Sequence, residues 1–216
     1  MKYKVMIVED QTMPRELFEL RVQSSEHFEV ALSIDNAALT DVYCLRFPVD
    51  LILMDVVTRG GESGLDAAER IKRAFPQIKI IIVTSMPECS YLSRAREIGV
   101  ESFWYKEEQR ESLLDVMERT MAGESVYPDA TPELQLGLAS SYKFTDRELE
   151  VLREMTGGDT NQEIAERLHM SVATVKTHIF NMLEKTGFRN RTELAVRARE
   201  SGLVILNRKS ENHWKE

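Results

Sequence analysis

What this 216-residue sequence has little of narrows its function first. It contains only two cysteines, Cys44 and Cys89. They have neither a pairing pattern nor a metal-ligand spacing, so reduced, structural thiols are expected rather than a disulfide framework. Its four histidines, His27, His169, His178 and His213, are scattered along the chain, which argues against a metal site built on imidazoles. No apolar run approaches the ~20 residues that a membrane span needs. The opening Met1-Lys2-Tyr3-Lys4 leads straight into a strand-like run and then into acids, so no secretory signal is expected. A cytoplasmic protein without membrane contact is the expectation.

Apolar residues make up 43% of the chain and charged residues 30%, which is the balance of a soluble globular protein. The length suits one large domain or two small ones. The net charge of −8 hides an asymmetry. Residues 1–123 hold 15 Lys and Arg against 21 Asp and Glu, a net of −6, whereas residues 167–209 hold 9 against 3, a net of +6. A basic segment near one end points to an anionic partner there, nucleic acid first.

Through residue 122 strand and helix patterns alternate five times. Strands are predicted near 4–8, 28–33, 51–54, 78–83 and 101–105, and helices follow each, with Pro14, Pro48, Pro76 and Pro87 as punctuation. Such alternation implies a parallel sheet wound by right-handed crossovers. Residues 123–143 break the pattern with Gly123, Pro128, Pro132, Gly137 and Ser140-Ser141. They are expected to form a linker with one short helical turn near 132–138. Beyond them only helices are predicted. Thr145 and Thr160 open capping boxes, Ser171 caps a longer helix closed by Gly187, and a fourth helix runs from Thr192 to about Ser201. The polar end, 207–216, is expected to fray.

The chemistry lies where the strands stop. Leu51-Ile52-Leu53-Met54 ends in Asp55, Val5-Met6-Ile7-Val8 in Glu9-Asp10, Ile80-Ile81-Ile82-Val83 in Thr84, and Ser102-Phe103-Trp104-Tyr105 in Lys106. Open α/β sheets place their ligand sites at the carboxyl ends of their strands. Each residue alone has an ordinary explanation, but together they converge on one sheet edge. Glu9, Asp10 and Asp55 form the oxygen-rich set that a hard ion such as Mg²⁺ takes. Lys106 adds a positive charge for phosphoryl oxygens and Thr84 a hydroxyl donor.

These residues resemble the receiver domain of bacterial two-component response regulators over 1–122. The resemblance implies a flavodoxin-like domain whose five-stranded parallel sheet has the order 2-1-3-4-5. It further implies Asp55 as phosphoacceptor and Glu9, Asp10, Asp55 and the Val57 carbonyl as Mg²⁺ ligands. Thr84, Phe103 and Lys106 take the switch and phosphoryl-binding roles. Two departures stand out. The loop after Asp55 is one residue longer than the family's, and Glu107 follows Lys106 where the family usually has Pro, so no cis bond is expected there.

In the second half, two capped helices joined by a short turn, the second longer and basic, give a helix-turn-helix pattern. Thr174, Lys176, Thr177, Asn181 and Lys185 are its polar positions and Val172, Val175, Ile179 and Leu183 its apolar stripe. The string from Thr160-Asn161-Gln162-Glu163-Ile164-Ala165 to Thr174-Val175-Lys176-Thr177-His178 resembles the LuxR/FixJ-type DNA-binding domain of the NarL class. That resemblance puts Lys176, Thr177 and Phe180 against DNA. Phe180 departs from the polar or basic residue usual there. Leu194, Ala195 and Ala198 form a small-residue face on which two such domains are expected to pair.

The expectation is therefore a receiver over 1–122, a linker over 123–143, an all-α four-helix DNA-binding domain over 144–207 and a polar tail over 208–216. Its partners would be double-stranded DNA, a sensor histidine kinase and, when phosphorylated or on DNA, a second copy of itself. It would not be an enzyme beyond catalysing its own phosphoryl transfer and dephosphorylation. The alternatives are a regulator that works without phosphorylation and an aspartyl-phosphate phosphatase. Phosphatases of that kind commonly need a carboxylate just beyond the nucleophile, and position 57 is valine.

Overall fold

A computed structural model describes residues 2–60, 62–88, 90–106 and 111–204. They divide into two compact units, 2–85 with 90–130 and 131–204 with 86–88, each with its own apolar core.

The first unit is a parallel sheet in the order β2-β1-β3-β4-β5, made of β1 (Tyr3–Val8), β2 (Phe28–Ile34), β3 (Leu51–Met54), β4 (Lys79–Thr84) and β5 (Ser102–Tyr105). The helices are α1 (Thr12–Gln23), α2 (Thr40–Cys44), α3 (Gly64–Ala74), α4 (Tyr91–Ile98) and α5 (Leu113–Met121). The inner strands are mostly apolar and buried because both faces of the sheet are covered. Val5, Ile7, Leu51, Leu53, Ile81 and Val83 pack with Phe18 and Val22 of α1 and with Leu113, Val116 and Met117 of α5. The alternate residues Met6, Ile52, Met54, Ile80 and Ile82 are equally buried on the opposite face. Cys44 is a free, half-buried thiol whose pKa is pushed up to about 11 by burial and by Asp41. Cys89, Glu107 and the residues from 205 onward lie outside the described residues, as do the expectations placed on them.

The helical turn expected near 132–138 is not formed, and part of 123–143 is held within the first unit. Ser125 to Tyr127 are fastened beside β5: Phe103 N–H donates to Val126 O (2.8 Å), Val126 N–H to Ser102 Oγ (3.1 Å) and the Tyr127 hydroxyl to Val100 O (2.8 Å). Val126 supplies the reason, since it is apolar and completes the first core. In place of a helical turn near 132–138, β6 (Gln135–Leu136) pairs antiparallel with β7 (Ala139–Ser140). Their two-residue turn places Gly137 at φ 62, in the left-handed region, and a Cβ there would meet Thr186 O at 2.2 Å.

The second unit continues with α6 (Asp146–Thr156), α7 (Asn161–Arg167), α8 (Val172–Thr186) and α9 (Arg191–Ser201). Both capping boxes are complete, Thr145 with Glu148 and Thr160 with Glu163, and the Ser171 side chain accepts from Thr174 N–H. Each cap satisfies backbone donors that the first helical turn leaves open. Leu152, Ile164, Val175, Met182, Leu194 and Ala198 are among the residues of the core the four helices share.

Candidate functional site

The parallel ladder brings the strand ends together. Val8 is in register with Met54, and Thr84 with Tyr105. Asp55 N–H donates to Val8 O and Lys106 N–H to Thr84 O, both at 2.9 Å, so the residues just past the strands remain neighbours. β1 and β3 flank the point where the sheet order reverses, which opens a crevice at their carboxyl ends. Glu9, Asp10 and Asp55 each present a carboxylate oxygen there, all within 4.8 Å of one another.

Lys106 lies among these acids. Its Nζ donates to Glu9 Oε2 at 2.5 Å and to Asp55 Oδ2 at 2.8 Å. The other Glu9 oxygen accepts Gln11 N–H at 3.0 Å. Asp55 is only 4% exposed. Burial pushes its pKa up to about 6, with Lys106 opposing and the Glu9 charge adding to the rise. Burial works against the Lys106 charge, but Asp55 and Glu9 hold its pKa above the usual lysine value. A buried carboxylate and a nearly buried ammonium therefore face each other across less than 3 Å. All donors in the cluster are carboxylate oxygens, the set that suits a hard divalent cation.

The loop after Asp55 is closed by a two-residue bridge between Val57 and Ser63, in which Gly64 N–H donates to Val56 O at 2.8 Å. Its extra length is tied down by Thr58, whose buried Oγ1 accepts Ala37 N–H at 3.0 Å. Gly64 is a position the sequence treated only as loop. A Cβ there would lie 1.9 Å from the Asp55 carbonyl oxygen, so the loop closes onto the Asp55 backbone only through glycine. Thr84 and Phe103 are both buried, and the Phe103 ring lies 5.0 Å from that of Tyr105 and 6.2 Å from that of Tyr127.

On α8, Val175, Ile179 and Met182 are buried while Thr174, Lys176, Thr177, Phe180 and Asn181 are exposed. Lys185 departs from this set. Its Nζ donates to Lys143 O at 2.8 Å and to both oxygens of buried Glu148, at 2.6 and 2.8 Å, which holds it against its own domain. Sequence reasoning missed this pair because Glu148 was assigned only its capping role. The small-residue face of α9 is also corrected: Leu194 and Ala198 are 0% exposed inside the core and Ala195 packs against it. Small residues there let α9 approach the other helices closely. Outward, α9 presents Val196, Arg197, Arg199 and Glu200.

A sheet of this order with acids and a lysine at its carboxyl edge, joined to a capped helix-turn-helix, defines a class that comparison with known proteins makes specific. Residues 5–118 match the response regulator receiver domain, and residues 142–198 match the luxR family of bacterial regulatory proteins. The response regulator protein VraR of Staphylococcus epidermidis is 32% identical over 214 residues, spanning 94% of this chain and 100% of that protein. VraR of Staphylococcus aureus is 31% identical over 212 residues, with the same two coverages. RcsB from Salmonella enterica serovar Typhimurium, solved bound to promoter rprA with the phosphomimetic BeF3⁻, shares the fold. Its TM-score is 0.59 at 22% identity, over 91% of this chain and 98% of that one. The chain belongs to the two-component response regulators that join a receiver domain to a LuxR-type DNA-binding domain. No helix among the described residues is long and apolar enough to cross a membrane.

Proposed function

We propose that this regulator is controlled by phosphorylation of Asp55 by a sensor histidine kinase, and that the state of this carboxylate governs binding of double-stranded DNA through α8. The observation that carries this is Asp55 itself, nearly sealed from solvent at the end of the central strand with Lys106 Nζ at 2.8 Å. An Asp55 oxygen attacks phosphorus, the bond from phosphorus to the kinase's imidazole nitrogen breaks, and the electron pair leaves with that nitrogen. Lys106, already held in a largely buried position, stabilises the charge on the phosphoryl oxygens. Thr84 offers its hydroxyl to the same group. Glu9, Asp10, Asp55 and the Val57 carbonyl would hold a Mg²⁺, which when bound offsets the acidic charge and polarises the phosphoryl oxygens. The chain thus promotes its own phosphorylation from the kinase's phosphohistidine, and attack of water on phosphorus, with the Asp55 carboxylate leaving, would return it to the starting state.

Drawing Thr84 and Lys106 toward a phosphoryl group alters the packing around Phe103, and that two-state element releases the output domain. The connector in this reading is 128–130, a choice supported by the ties of Tyr127 and by the start of the second unit at Thr131. Thr174, Lys176, Thr177, Phe180 and Asn181 form the DNA face. RcsB has been solved as dimers bound to DNA, and the active form here is taken to be a homodimer in the bacterial cytoplasm.

Intact mass after incubation with a small phosphodonor and Mg²⁺ should rise by one phosphoryl group in the wild type and not in Asp55→Asn. Equal labelling of both would overturn the assignment. Asp10→Asn should remove the Mg²⁺ dependence, and a surviving dependence would put the ion elsewhere.

A further inference from the structure

Phe180 is 61% exposed in the middle of the outward face of α8. At 3.6 residues per turn it projects between Lys176 and Thr177, one turn further along. Its neighbours on that face, Lys176, Thr177 and Asn181, are exposed and polar. A single aromatic ringed by polar groups is too small an apolar area for a stable protein partner, which would need a patch of several hundred Å². It does fit a surface that is polar and anionic with isolated apolar points. The major groove is such a surface, because its apolar feature is the thymine C5-methyl. The exposed Glu184, four residues beyond Phe180, bounds the segment that can approach phosphates closely.

We infer that Phe180 is a specificity-determining residue that packs on a thymine methyl in the operator. This rests on the proposal that α8 enters the major groove, and it names what one position of that helix selects. The polar neighbours fix the register and the ring rewards a methyl-bearing base beneath it. Removing one buried methyl costs roughly fourfold in affinity.

The test uses the full-length protein treated with phosphodonor. Its preferred duplexes are selected from a random DNA pool, and each thymine of the best site is then replaced singly by deoxyuridine. This deletes only the methyl and leaves base pairing intact. At one position in each half-site the replacement should weaken wild type about fourfold and leave Phe180→Ala indifferent. Phe180→Leu, which keeps an apolar contact, should retain the sensitivity. The inference is overturned if no thymine is methyl-sensitive in the wild type, or if Phe180→Ala keeps the same sensitivity. It is also overturned if Phe180→Ala changes the oligomeric state while the methyl response is unaltered. If wild type selects no DNA sequence at all, the groove assignment of α8 fails as well, an outcome distinct from selection without methyl dependence.

Discussion

The two units carry their chemistry in opposite ways. In the first, Glu9, Asp55 and Thr84 are buried and Lys106 nearly so, and the charged groups among them are held to one another at under 3 Å. In the second, the candidate functional side chains stand on the outside of α8 and touch little of their own domain. A buried charge must be answered inside the protein, so its partners are dictated by the fold. An exposed one waits for a ligand, and the fold alone leaves its role open. The first site should therefore fail structurally when altered, the second only in binding.

The largest effect expected on that contrast comes from Gly64→Ala. The added Cβ would collide with the Asp55 backbone carbonyl, which has no flexible end to yield. A cost on the order of 3 kcal/mol or more to the first unit is expected, together with loss of phosphorylation. Urea unfolding and intact-mass labelling measure the two. A variant that unfolds and labels like wild type would show that the loop after Asp55 can shift freely.

Lys106→Met should rank next. It leaves Glu9 and Asp55 facing each other without their shared ammonium, which costs about 3 kcal/mol in the absence of divalent ions. Adding Mg²⁺ should recover part of the loss in a thermal melt. Unchanged stability without the ion would mean that the carboxylates are not electrostatically coupled in solution.

The second unit has a buried carboxylate with a lysine partner as well, Glu148 with Lys185. Burial alone would raise the Glu148 pKa, but the Lys185 ammonium and the Thr145 N–H outweigh it and hold the carboxyl below the usual range. Its folded pKa lies under its unfolded one, so the stabilisation is complete above the ordinary carboxylate value of about 4.3. It is lost as pH falls through the lowered folded pKa. Lys185→Met should cost about 2 kcal/mol near neutral pH and flatten that acid dependence. Urea melts of the second unit at several acidic pH values check this, and an identical acid profile in the variant would refute the pairing.

How far each region could be foreseen follows the same division. Strand ends with reactive residues placed Glu9, Asp10, Asp55, Thr84 and Lys106 at one edge, because an apolar strand covered on both faces fixes where its polar continuation emerges. The sheet order 2-1-3-4-5 came with the family resemblance. Gly64 was not legible, since the contact that demands glycine is with Asp55 nine positions away and no local pattern announces it. The hairpin at 135–140 was hidden because glycine and proline mark a break without saying what fills it. Helical periodicity identified the apolar residues of α9, but it does not say whether such a face meets its own domain or a second copy. Leu194 and Ala198 meet their own core. Lys185 failed for the matching reason: a lysine on a basic helix looks free until the tertiary position of Glu148 is known.

The smallest effect expected, and the one that sharpens the comparison most, sets Lys176 against Lys185. Both are lysines on α8, one exposed on the outward face and one bound to Glu148. If Lys176 meets a phosphate, Lys176→Ala should weaken binding on all sequences alike. It should also lower the slope of log affinity against log salt by about one unit, because one fewer counterion is released. If it reads a guanine instead, the loss should concentrate at one base position and reach ~1–3 kcal/mol. Lys185→Ala should do neither at a temperature where the variant remains folded, since its charge is already neutralised within the protein. Salt titrations of both variants on one selected duplex separate the outcomes. An equal fall in slope for the two lysines would mean that the pair with Glu148 opens on DNA, and the division between buried and exposed charge in this unit would then fail.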